Sequence, residues 1–393
     1  MLRKYCALKR DFEELFVFGK CMKKLFYIVY FNFFPVAYSN KIIIVGNGFD
    51  LAHGYKTAFC DFADYLIDVK IAPQILDYAR YREKKGFLSD KFCETLMKRF
   101  NNFGVGDHYS FLMQFSYDEQ NHVKAGPYLK KNTDFLKEVL NNKLLGELYK
   151  KTDGSWFDIE QKYFNKLKGL KNRIGNPQLP FRLKDLTDLN SEFNEIKNLF
   201  TEYLKTVETF TEENINEFLL RLIYDYDRIY IINFNYTNSV RRYVEESQRI
   251  TINHIHGNLV AGEIIFGYGN DQDNDYQQIK NTGIDEFLRF FKTFEYMDSD
   301  NYERIHREAI DLFDKYDVDV IGHSLGQTDK TLLSEILNNE KCTSINFYKR
   351  KDLNDHSVKE SFKQLQYAAS RIITNEAILR RKVVNFNNSK SFP

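Results

Sequence analysis

The stretch KIIIVGNGFD, residues 41–50, sets four β-branched apolar residues in a row and ends them in Gly46-Asn47-Gly48. An unbroken apolar run, rather than an alternating one, marks a strand covered on both faces, the environment of a parallel sheet. Two glycines at its end let the chain turn tightly and approach a ligand, with the N–H groups of a following helix aimed at an anion. The segment therefore predicts the first strand, turn and helix of an α/β sheet. Runs of the same kind recur at 228–238 (RIYIINFNYTN), 250–258 (ITINHIHGN), 263–270 (EIIFGYGN) and 317–329 (DVDVIGHSLGQTD), with further strand candidates at 343–349 and 382–386. Helical patterns fill the intervals, as in SVKESFKQLQYAASRI at 357–372. Strands alternating with helices predict a doubly wound, mostly parallel α/β fold.

Between residues 50 and 228 almost no strand signal occurs. Amphipathic helical patterns appear instead at 134–151, 191–210 and 214–223. The interval is too long for one crossover, so we expect a helical insertion over 71–226, with 41–70 and 227–393 forming the α/β domain. Residues 1–40 stand apart. A basic stretch precedes the apolar LFYIVYFNFFPVAYS at 25–39, which is the order of a secretory signal. Asn32 and Pro35 interrupt that run, which is already short for a membrane span, and the basic part is long and contains acids. Two readings stay open: a genuine extension, or a translation start just before Lys41.

Charge is balanced, with 56 basic against 55 acidic residues, so there is no overall electrostatic footprint for nucleic acid. The five cysteines are scattered and never form C-x-x-C, which argues against a disulfide framework or a zinc ribbon. A reducing, cytoplasmic setting without membrane insertion is the expectation.

Four motifs carry candidate chemistry. In the first, Gly46, Asn47, Gly48 and Asp50 close the opening strand, and Gly54 follows; the third glycine of a dinucleotide fingerprint is missing because Leu51 stands there. A tight turn without a ligand is the alternative. No G-x-x-x-x-G-K-[ST] occurs, which disfavours a P-loop nucleotidase. The second motif, Asn235-Tyr236-Thr237-Asn238, places polar groups at the end of a buried strand, where open α/β sheets bind ligands; helix capping by Asn235 or Thr237 is the plainer reading. The third, His254-Ile255-His256-Gly257, points both histidines to one strand face if the strand continues. His256 beside Gly257 suits a general base near neutral pH, and a structural histidine is the alternative.

The fourth, Gly322-His323-Ser324-Leu325-Gly326, fits the G-x-S-x-G nucleophile elbow. A hydrolase elbow needs its acid and then its histidine later in the chain. Only His356 follows Ser324, with Asp329 or Asp352 as acid, too close in sequence to come from a separate loop. A serine esterase is therefore a minor reading. Asp271, Asp273 and Asp275 have calcium-like spacing, but Tyr276 and Thr282 occupy the positions that need Gly and Glu, so no metal is expected.

Taken together, GNGFDLAHG (46–54), FNYTN (234–238), HIHGN (254–258), FGYGN (266–270) and IGHSLGQTDKTLL (321–333) resemble the AbiH family of bacterial abortive-infection proteins over about residues 41–350. AbiH proteins in turn look like distant relatives of the sirtuin-like, Rossmann-like NAD-binding fold. That resemblance implies phosphate handling by Gly46 to Gly48 and Gly54, with Asn235 near the nicotinamide ribose and Thr237 in place of an acid. It implies His256 in His256-Gly257 as catalytic base, and Gly322, Ser324 and Asp329 along the adenosine ribose. Thr57-Ala58-Phe59 departs from the sirtuin Asp-Phe-Arg, and the paired C-x-x-C zinc module of deacetylases is absent. The implied function is antiphage defence through binding, and cleavage, of NAD+ or a related nucleotide, with a phage component as trigger and a homo-oligomer left open. The alternative is a silent nucleotide sensor. Trp156, the only tryptophan, lies with Asp158 and Glu160 in the helical region, and those two carboxylates are expected on a solvated or capping face, with closure over the pocket as the other role.

Overall fold

The computed structural model describes residues 40–102, 116–117, 123–124, 138–148, 156–207, 226–244, 247, 249–260, 262–350 and 355–392. The extension at 1–39 and the helix expected at 214–223 lie outside the described residues, as do 134–137 and 149–151 of the helix expected at 134–151. Five parallel strands form the central sheet: β1 (Asn40–Val45), β2 (Ile229–Asn233), β3 (Ile250–His254), β4 (Tyr316–Ile321) and β5 (Cys342–Phe347). Their order is β3-β2-β1-β4-β5, so the winding reverses between β1 and β4. The register aligns Val45 with Asn233 on one side and Ile321 on the other, and Asn233 with His254. That alignment brings the turns after four strands to one rim of the sheet.

Both faces of the sheet are covered. Ile42, Ile44, Ile232, Val318 and Val320 pack on one side with residues of α5 (Lys330–Leu337) and α6 (Asp355–Ser370). Ile43, Val45, Ile231 and Ile252 pack on the other with Phe49, Val240 and Tyr243. A buried ion pair, Lys41 Nζ to Asp319 Oδ2 at 2.6 Å, ties β1 to β4 within the sheet.

Not every strand candidate joins. Glu263–Ile264 pairs antiparallel with Gly257–Asn258 in a ribbon outside the sheet, which the chain enters after a turn at 255–256 with Gly257 at φ +74°. Of 382–386 only Val383 bridges Ile345, since the helix Glu376–Lys382 occupies the start of that run. The six-residue α1 (Asn47–Ala52) follows β1.

Between β1 and β2 the described chain is almost wholly helical: Phe59–Tyr65 and Ala72–Tyr81 joined by a wider turn over Leu66–Ile71, then Asp90–Asn102, Lys143–Leu148, α2 (Trp156–Lys171) and α3 (Leu183–Val207). Their core includes Phe62, Tyr163, Phe164, Phe193 and Phe200. It takes in Leu259, Phe266, Tyr268, Phe290 and Phe291 from the segment after β3, which ends in α4 (Lys292–Met297). The helical layer and the loops of the sheet rim thus share one apolar core. No described helix is long and apolar enough to cross a membrane.

Candidate functional site

A cavity of about 590 Å³ opens over the C-terminal ends of β1, β2 and β4, where the strand order reverses. Gly46, Asn47, Gly48, Asp50, Asn235, Thr237, His256, Gly322, Ser324 and Asp329 all line it. Gly54 and Gly257 do not. Gly54 is an exposed turn residue with φ +79°, and Gly257 lines a separate cavity of about 320 Å³ with His254 and Arg304. The two histidines of HIHGN therefore face different cavities, because β3 ends at His254 and strand alternation does not reach His256.

The glycine turn is shaped by another loop. A Cβ on Gly46 would lie 2.5 Å from His323 Cα, and one on Gly48 would lie 2.8 Å from Gly322 Cα. Only glycine lets the β1 and β4 turns touch there. The N–H groups of Gly46, Gly48 and Phe49 donate to the carbonyls of Ile321, Gly322 and Gly46, so they are already engaged within the loops.

One end of the cavity is organised by Asp50, which is buried at the start of α1. Its Oδ1 accepts from Asn235 Nδ2 at 3.0 Å and from Ser239 Oγ, and its Oδ2 accepts from Thr237 Oγ1 at 2.6 Å. The second amide hydrogen of Asn235 goes to Gly46 O at 3.1 Å. Two acceptors fix that amide's orientation and leave only Asn235 Oδ1 to meet a ligand. Neither Asn235 nor Thr237 caps a helix; both fold the β2 turn around Asp50.

The other end is charged. Lys292, the first residue of α4, is 1% exposed and places Nζ 2.7 Å from Asp329 Oδ1 and 3.1 Å from Glu160 Oε1. Burial opposes the ammonium, yet the two carboxylates outweigh it and raise its pKa. His256 Nε2 lies 3.2 Å from the same Asp329 oxygen and 3.1 Å from Tyr296 Oη. Tyr296 stands one helical turn beyond Lys292, which puts both on one face of α4. Burial and the nearby ammonium lower the His256 pKa, with Asp329 and the Phe234 backbone partly restoring it. The ring is thus neutral at pH 7 and competent to accept a proton. Burial pushes Asp329 up, but Lys292 and His256 overcome this and hold it well below the usual carboxylate range. Burial raises Glu160 to about 7 despite Lys292.

Glu160 is buried, not solvated, and accepts from Gly267 N at 3.1 Å; the side chains of Trp156 and Asp158 lie outside the described residues. Asp329, expected along an adenosine ribose, sits against His256; although it is the residue before α5, it makes no side-chain cap. Ser324 is exposed and makes no hydrogen bond among the described residues. The left-handed backbone falls on Gly322 (φ +69°) and Leu325 (φ +55°), not on Ser324. A nucleophile elbow strains its serine and aims a histidine at it, and neither condition holds here.

Sequence reasoning passed over Lys292, Tyr296 and His323. His323 is buried on Phe234, with ring centroids 4.2 Å apart, and its Nδ1 accepts from Leu325 N at 3.0 Å. Burial, with His256 and Lys292, lowers it to about 4. The neutral tautomer therefore carries its hydrogen on Nε2. The aspartates at 271–275 have structural partners: Asp273 caps the helix Asn274–Lys280, Asp271 accepts from Thr331 and Asp275 pairs with Lys168. Among the described residues no cluster of three or more metal-ligating side chains forms.

Residues 42–349 match the family model described as bacteriophage abortive infection AbiH, a span that runs from β1 past every candidate residue. The chain belongs to the AbiH family. Among curated proteins nothing matches. The AbiH segment contains both ends of the cavity, whereas Gln364, Ala368 and Arg371, which complete its rim, lie beyond it.

Proposed function

We propose that this AbiH protein acts in antiphage defence by binding NAD+ or a related nucleotide at the rim of a Rossmann-like sheet and hydrolysing its N-glycosidic bond. The observation that carries the reading is the neutral, buried His256 held against an ionised Asp329 in a ligand-sized cavity at the reversal point of the sheet. In NAD+ the C1′–N1 bond breaks and its electron pair returns to the nicotinamide nitrogen. The ribose is left oxocarbenium-like. Water adds to C1′ in the same transition state and gives its proton to His256 Nε2, so that nicotinamide leaves and ADP-ribose forms together. Asp329 then stabilises the imidazolium, and Asn235 Oδ1 orients a ribose hydroxyl or the water. The helical region 71–226 would sense the phage component and set the resting state in the cytoplasm.

A second reading rests on the engagement of His256 Nε2 by both Asp329 and Tyr296, which suits a pocket that holds a nucleotide without turning it over. The two separate in one experiment: NAD+ loss by purified protein, beside thermal-shift binding, for wild type, His256→Ala and Asn235→Ala. Cleavage predicts turnover by wild type alone. Binding without turnover, even with phage-infected extract, selects the sensor. Neither binding nor turnover rejects the nucleotide.

A further inference from the structure

The geometry points to Arg371, on the rim outside the family-matched segment, as the residue that recognises the ligand's phosphates, with the deep end reserved for its uncharged or cationic part. The inference rests on the nucleotide reading and fixes which way round the nucleotide lies.

Three observations lead there. The resemblance assigns phosphates to the Gly46–Gly48 turn, but the N–H groups of Gly46, Gly48 and Phe49 are already bonded to loop carbonyls. The interior is rich in carboxylates, with Asp50, Glu160 and Asp329 all on the cavity wall. Its buried ammonium, Lys292, is held by two of them. A phosphate placed deep would meet carboxylates rather than an available cation, whereas ribose hydroxyls or a pyridinium ring would be welcome there.

The third observation is the rim itself. Gln364 and Ala368 lie one turn apart on α6, Arg371 is the first residue after that helix, and all three line the cavity, as Ser324 does. Gln364 Nε2 donates to Glu360 Oε1 at 2.9 Å, which ties its amide back along α6. Arg371 is exposed, and among the described residues it is the one cavity-lining Lys or Arg without a carboxylate partner. Between Arg371 and Gln364 the small side chain of Ala368 leaves the wall open. A guanidinium offers paired donors that match phosphate oxygens, and the exposed Ser324 lines the same cavity. The nucleotide would then lie with its glycosidic bond at His256 and its pyrophosphate at Arg371.

Binding by titration calorimetry at low salt tests this with three ligands: NAD+, ADP-ribose and nicotinamide riboside, each against wild type, Arg371→Ala and Arg371→Lys. Loss of one charge-assisted phosphate contact predicts about tenfold weaker binding of NAD+ and ADP-ribose by Arg371→Ala, and a partial loss with Arg371→Lys. Nicotinamide riboside, which has no phosphate, should be unaffected. The difference should shrink as salt rises. Unfolding midpoints serve as control, since an exposed side chain without a partner should leave them unchanged. Equal loss for all three ligands, no loss for any, or no binding of either phosphate-bearing ligand by wild type overturns the proposal. Arg371-dependent binding of ADP-ribose without NAD+ turnover keeps it and removes only the cleavage chemistry.

Discussion

The two ends of the cavity are built by opposite means. At the Asp50 end one carboxylate gathers donors from Asn235, Thr237 and Ser239, all supplied by a single turn after β2. At the Lys292 end, four groups from four segments, Glu160, His256, Lys292 and Asp329, share charge in a buried space. The first arrangement is a brace: the donors it uses are no longer available to a ligand, and its product is the shape of the turn. The second is a reservoir of protons, because its members hold one another away from their ordinary pKa values. Position comes from one end and chemistry from the other.

The largest break in this comparison comes from Lys292→Met. Removing the ammonium leaves Glu160 and Asp329 buried together, which should cost about 3–5 kcal/mol of stability. His256 should also titrate higher, since the ammonium no longer opposes its protonation. Urea unfolding and histidine titration by NMR measure the two effects. Asp50→Asn should cost less, about 2 kcal/mol, because it replaces an acceptor oxygen by a donor facing other donors. It should weaken ligand binding without moving the pH profile. A shifted profile would show that the brace also tunes the charge.

Next in size is the pH dependence of turnover. His256 is depressed below its ordinary value of 6.5, so the base stays neutral as pH falls through 6.5, and activity should fail only at a lower pH. The same sign governs stability: protonating His256 favours the unfolded chain, so its effect is a loss as pH falls below 6.5. A limb at or above 6.5 in kcat/KM would contradict this. Smallest is Glu160→Gln. Glu160 titrates near 7 in the fold against 4.5 ordinarily, so its contribution to stability is present at low pH and lost as pH rises from 4.5 through about 7. The glutamine variant should be nearly as stable as wild type near pH 5 and lose less on moving to pH 8.

The brace was legible in the sequence and the reservoir was only half so. Unbroken runs such as IIIV and IYII announced buried strands, and the polar or glycine residue after each run gave the rim, because parallel strands place their turns together. Asn235 and Thr237 lie in such a turn, and Asp50 lies in the first turn of the helix that follows another. Lys292 begins a short helix in the aromatic stretch FFKTFEYM, and nothing there says whether its lysine turns inward or to solvent. Glu160 looked like one acid among many on an amphipathic helix. Its neighbours Ile159, Tyr163 and Phe164 enter the core, which brings Glu160 to the rim. Such side chains acquire meaning only from distant partners, and one sequence does not reveal that Lys292 meets residues 160 and 329.

Single-turnover nicotinamide release at saturating NAD+, with phage-infected extract present, tests the division most directly. His256→Ala should slow release by about 10²- to 10⁴-fold while NAD+ binding is retained. Equal release by wild type and His256→Ala, or binding by wild type with no release, would contradict it.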